Sequence, residues 1–242
     1  MLAALGWGAV AASSLLLGVA LAFARRWPVQ WVGLVLAFGA GALMSAISFE
    51  LAAEGARAGG LNITAIGLAA GALTYYFLDG IIARRYGAGR GRPGRASASD
   101  AGSALALGAF LDGVPEQMAL GIGIAAGAGV SVGLLVAIFV SNLPEAIGSA
   151  TEMEKSGTAK RTIWRLWLGV AAICTLAAVA GYALADITAG DFEAIINGFA
   201  AGALIVMLID SMIPEATREA GRTAGLVTTL GFAVAAALSA IS

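Results

Sequence analysis

Residues 139–148 read FVSNLPEAIG, inside a run that is otherwise apolar from about Ser131 to Ala150. The fold turns on what a greasy helix does with Asn142, Pro144 and Glu145 at its middle. The stretch FLDGVPEQMALG, residues 110–121, poses the same question 29 residues earlier, with Pro115 and Glu116 falling where Pro144 and Glu145 fall.

Composition decides the solvent. The chain is 60% hydrophobic and 12% charged, with a mean hydropathy of +0.89 and 34 glycines in 242 residues, so it reads as an all-α integral membrane protein. A membrane-crossing helix needs about 20 mostly apolar residues. Eight such runs are present, at roughly 3–24, 31–53, 63–83, 104–127, 130–152, 163–185, 193–213 and 223–241. They fill residues 1–242 and predict one membrane domain without a soluble one. The first run has no basic residue before it and is followed by Arg25 and Arg26, which predicts a retained helix with its N-terminus outside. Cys174 is the only cysteine and histidine is absent, which excludes disulfides and cysteine-cluster metal sites.

Orientation follows from the charges. With an external N-terminus, thirteen of the fourteen basic residues fall in loops facing the cytoplasm, and only Arg57 lies outside. Both termini are therefore expected to be extracytoplasmic. The one long connection, RRYGAGRGRPGRASASDAGS over 84–103, has a composition that buries nothing and predicts a mobile cytoplasmic loop. Its basic residues suit anionic membrane lipid; nothing singles out nucleic acid as a partner.

A second internal comparison bears on architecture. At an ungapped offset of 161, residues 38–57 and 199–218 share seven of twenty positions, among them Phe38/Phe199, Gly41/Gly202, Glu54/Glu215 and Arg57/Arg218. The two copies would cross the membrane in opposite senses. An inverted repeat with a site near the midplane is a transporter arrangement. The plainer reading is that small-residue runs resemble one another because close helix packing favours them.

Carboxylates at a helix centre cost about 2.5–3.5 kcal/mol each on the insertion scale, so they face a bundle interior or a wet cavity. Asp112 and Glu116 are four apart and share one face of the fourth span; Asn142 and Glu145 are three apart and share one face of the fifth. Pro115 and Pro144 each free a carbonyl one turn earlier. Three negative charges and an amide converging in apolar surroundings call for a divalent cation. The competing reading is a protonated glutamate and an asparagine bonding across helices, with the prolines as kinks. Glu50, Glu54, Asp210 and Glu215 lie toward span ends, where vestibule roles compete with ligation. Asp79 lies near a cytoplasmic end and is expected to be solvated.

These features together resemble the ZIP family of zinc and iron permeases, on DGVPE in the fourth span, SNLPE in the fifth and GFAAGALIVMLIDSMIPEA in the seventh. The resemblance implies eight helices in a 3+2+3 arrangement and a binuclear metal site on spans four and five. Carried over, Asp112 stands where that family has a histidine, Gly113 at its asparagine and Glu116 on its glutamate. In the fifth span Ser141 takes the place of the histidine, while Asn142 and Glu145 match. Met44 corresponds to a site-lining position on the second span. The sixth span offers no acid to bridge a second metal, so one site of Asp112, Glu116, Asn142 and Glu145 is expected, with Met44, Ser141, Glu50, Asp210 and Glu215 as further lining.

The expected function is passive or gradient-driven transport of a divalent cation across the cell membrane, with no enzymatic step and no resident cofactor. Oxygen donors suit harder ions than imidazole does, which predicts a broad range over zinc, manganese and ferrous iron. The alternatives are a proton-coupled carrier for another solute and a non-transporting relative. Small-residue stripes at Gly39, Gly41 and Ala42 face either a neighbouring helix or a second subunit in a homodimer.

Overall fold

The computed structural model describes residues 1–86, 113–125, 130–186 and 190–240, and every regular element among them is a helix. In chain order these are α1 (Leu2–Ala24), α2 (Val29–Ala46), a π-helical stretch (Ile47–Ala52), α3 (Ala53–Gly59), α4 (Leu61–Tyr86), α5 (113–125) and α6 (Val132–Lys155). After them come α7 (Lys160–Asp186), α8 (Asp191–Met207), a second π-helical stretch (Leu208–Met212), α9 (Ile213–Ala220) and α10 (Thr223–Ser239). Among the described residues six continuous helices are long and apolar enough to cross a membrane, and α10 is a shorter apolar helix. Of the fourth run, only 113–125 is described. Most of the 84–103 loop, from residue 87 onward, lies outside the described residues.

The sequence sets the ends of these helices locally. Pro28 holds φ at −61° as the N-cap of α2. The Ser131 side chain accepts the Leu134 N–H at 3.1 Å and caps α6. α3 and α9 both stop at glycines with positive φ, Gly60 at 85° and Gly221 at 62°, a conformation that only glycine enters cheaply. Each π-helical stretch continues its helix without a break, so Val29–Gly59 and Asp191–Ala220 are single long rods. The wider turn rotates the faces before and after it relative to each other, and nothing in the local sequence announces it.

These two rods run antiparallel. A Cβ on Gly33, near the start of the first, would come within 2.9 Å of the Ala220 nitrogen at the end of the second. A Cβ on Gly59, at the end of the first, would come within 2.8 Å of the Ala194 Cβ near the start of the second. α4 lies along α8 with Gly67, Gly71, Gly198 and Gly202 against backbone of the facing helix, and α10 lies along α2 through Gly231 and Gly41. Such seams need glycine because any side chain would hold the backbones apart. Gly39 faces Ser141 of α6, Gly41 faces Thr228 of α10 and Ala42 is buried, so this stripe is used between helices of one chain. α1 packs on α6 and α7 around the buried Trp167, forming a second apolar cluster beside the main core.

Candidate metal site

Glu116 and Gln117 on α5 and Ser141 and Asn142 on α6 are all buried, each 1% exposed or less. The Ser141 hydroxyl lies 3.2 Å from Glu116 Oε1 and 3.0 Å from the carbonyl of Ile138 on its own helix, so it bridges α5 and α6. α6 is drawn close to α2 at the same level: a Cβ on Gly39 would stand 2.8 Å from the Ser141 Cα. Pro144 lies inside α6 one turn after Val140 and cannot bond that carbonyl. Glu145 follows on α6, partly buried.

Asn142 is the informative member. Neither its Oδ1 nor its Nδ2 has a hydrogen-bond partner among the described residues. A buried amide left unbonded is costly and rare, and its oxygen is free to accept from or coordinate another group. Gln117 is in the same condition, with its Oε1 3.5 Å from where a Cβ on Gly8 of α1 would stand.

The remaining expected residues divide. Asp112 lies outside the described residues. Met44 is 38% exposed on α2, and Asp210 is exposed. Glu215 lies 3.7 Å from Arg218 as Glu54 lies 2.9 Å from Arg57, two exposed ion pairs at matching places in the long rods. Glu50 accepts a hydrogen bond from Ser239 of α10. Asp79, expected to be solvated, is part-buried and engaged with a partner. Among the described residues no three His, Cys, Asp or Glu side chains converge closely enough to hold a metal ion.

Two residues of this neighbourhood escaped the sequence reading. Gln117 stands beside Glu116 in a mid-span position where an amide is as anomalous as an acid, and that signal was available. Cys174, which the sequence marks only as the sole cysteine, is 1% exposed, its Sγ is 2.8 Å from where a Cβ on Gly113 would stand, and it is within electrostatic reach of Glu116 and Glu145. Only the packing of α7 on α5 reveals it.

Comparison with known proteins fits this geometry. The family described as ZIP zinc transporter matches residues 88–239, which takes in α5 to α10 and both proline-bearing motifs. The chain belongs to the ZIP family. An Arabidopsis thaliana protein named as a candidate zinc transporter is 31% identical over 201 residues, covering 79% of this chain and 31% of that protein. This ZIP chain thus spans about a third of the length of the curated relative it matches. Family membership and the six apolar helices make it a multi-pass membrane protein.

Proposed function

We propose that this ZIP protein transports divalent metal ions, zinc among them, through a site near the midplane between α5 and α6. The ligand set is Asp112, Glu116, Asn142 and Glu145, with Ser141 orienting the Glu116 carboxylate rather than replacing a histidine. The observation that carries the reading is the Asn142 amide, buried and unbonded among the described residues, next to the Ser141–Glu116 bridge. The ion itself is cargo, and its charge is what offsets the desolvation of the carboxylates.

The reading includes eight membrane helices with both ends outside, built as an inverted repeat, and a cytoplasmic connection over 84–103. Support for the repeat comes from the antiparallel rods, from π-helical stretches beginning 161 residues apart at Ile47 and Leu208, and from the matching stops at Gly60 and Gly221. Oxygen donors alone suit zinc, manganese and ferrous iron with weak discrimination.

Reconstituted vesicles loaded with a metal-sensitive dye test the function. Influx of Zn²⁺ and Mn²⁺ that persists without a pH gradient is expected, and no influx of any divalent ion would refute it. Asp112→His should shift competition toward Zn²⁺; an unchanged Zn²⁺/Mn²⁺ ratio removes Asp112 from the ligand set.

A further inference from the structure

α7 opens with KRTIWRLWL over 160–168, which holds three basic residues and no acid. The N-terminus of a helix is the positive end of its dipole, so acids are favoured there and cations are not. Lys160 is compensated: its ammonium lies 3.1 Å from the Glu154 carboxylate and over the Phe23 ring of α1, 4.7 Å from the centroid. Arg161 and Arg165 are exposed and have no acid within ion-pairing distance among the described residues.

α1 ends beside them. Its Phe23 ring meets the Trp164 ring of α7 edge-on at 6.3 Å, and the chain then runs into Arg25 and Arg26, also exposed and also without an acid partner among the described residues. Arg25 lies over the Trp27 ring, whose indole N–H donates to the Leu21 carbonyl at 3.0 Å and folds this segment back on the end of α1. Phe23 thus gathers four arginines from two chain segments at one corner of the bundle. Arg57, Lys155 and Arg218, by contrast, each face an acid on their own helix.

Two more observations say what this charge is for. Trp27 and Trp164 stand at the corner and Trp31 follows at the start of α2; tryptophan collects where hydrocarbon gives way to headgroups. Arg161, Arg165, Leu168 and Leu176 then follow one stripe of α7 at helical spacing, and both leucines are more than half exposed. Unpaired arginine at the end of an exposed apolar stripe matches the two parts of a phospholipid, a phosphate and an acyl chain.

We propose that this corner of α1 and α7 holds one anionic phospholipid. Arg161 and Arg165 bind its headgroup phosphate, Arg25 and Arg26 close the other side, and an acyl chain lies along Leu168 and Leu176. The phosphate supplies the negative charge that the start of α7 lacks. A headgroup such as glycerol adds no positive charge, whereas the ammonium of a choline headgroup would be brought up to four uncompensated cations.

Native mass spectrometry of the full chain, released from micelles containing equal phosphatidylglycerol and phosphatidylcholine, counts the lipid retained. One phosphatidylglycerol should be kept in preference to phosphatidylcholine. Arg161→Gln and Arg165→Gln should each lower that retention about fivefold, the contribution of one basic side chain close to anionic lipid. Arg161→Lys and Arg165→Lys keep the charge and should lose much less, which separates a lost charge from a damaged fold. Arg222→Gln removes an equally exposed arginine from the start of α10, a helix packed on α2, α6 and α9, and should change nothing. Equal retention of the two lipids, or a loss in Arg222→Gln as large as in the α7 variants, overturns the site in favour of diffuse surface charge. Release of the lipid by inorganic phosphate alone would make the corner a site for the free anion and also overturn it. Retention is read without metal, so its failure leaves the transport proposal standing, and absent influx leaves the lipid site standing.

Discussion

The Ser141 hydroxyl on α6 and Oε1 of Glu116 on α5 stand 3.2 Å apart, both residues fully enclosed, in a hydrogen bond that crosses between two helices. A hydroxyl facing a carboxylate in such surroundings fixes its rotamer and supports its charge. Ser141→Ala removes that donor without adding bulk. A hydrogen bond to a charged group is worth about 1.5–3 kcal/mol, so metal affinity should fall at least about tenfold. Isothermal titration with Zn²⁺ in detergent measures it, and unchanged affinity would show the bond to be merely structural.

Glu116→Gln and Glu145→Gln keep shape while removing charge. Each should abolish saturable metal binding and leave the thermal unfolding midpoint close to wild type, because a neutral amide is easier to bury than a carboxylate. Binding retained by both variants would take the glutamates out of the site.

The contact of α2 with α6 predicts a steric effect. A Cβ on Gly39 would lie within 2.8 Å of the Ser141 Cα, whereas one on Gly148, farther along α6, meets nothing within 4 Å. Gly39→Ala should destabilise the fold by about 1–3 kcal/mol, the usual cost of overpacking. Gly148→Ala should be neutral or slightly stabilising in the same melting assay. Equal melting of the two variants would mean that α2 and α6 yield easily at the site.

Pro144→Ala restores a donor for the Val140 carbonyl and lets α6 close its ladder. The variant should be more stable to heat and slower in metal influx. Unchanged influx would leave the proline without a part in transport, and faster influx would reverse the part assigned to it.

The chain's class and the burial of its mid-span polar residues were legible in the sequence for different reasons. Apolar composition dictates helices in lipid, since every backbone group must bond within its own segment. Glu116 and Asn142 were conspicuous because polar groups in such runs need a purpose, and both are buried on facing helices. Ser141 is expected from motif position to line the site, and its hydroxyl bridge to Glu116 is a contact that motif position does not announce. Met44 is placed by motif position and Asp210 as an acid toward a span end, and the exposure of each depends on helix rotation, which no residue pattern encodes. Cys174 and Ser239 became visible only through tertiary contacts, a thiol against a glycine and a hydroxyl against an acid far away in the chain.

The rod Val29–Gly59 also constrains how the protein sits in its bilayer. Its 31 residues extend about 46 Å at 1.5 Å each, against a hydrocarbon layer of about 30 Å. Tilt alone would have to reach about 50° to hide that length, beyond the range that membrane helices adopt. Part of the rod must therefore leave the hydrocarbon layer, and the Glu54–Arg57 ion pair stands in its last turns. The antiparallel rod Asp191–Ala220 ends the same way at the opposite face with Glu215 and Arg218. α10 has 17 residues, about 26 Å, and is much shorter than the rod Val29–Gly59 against which it lies. A long rod and a short helix thus stand side by side, so the bilayer meets a step in helix length along the line where the rod and α10 touch.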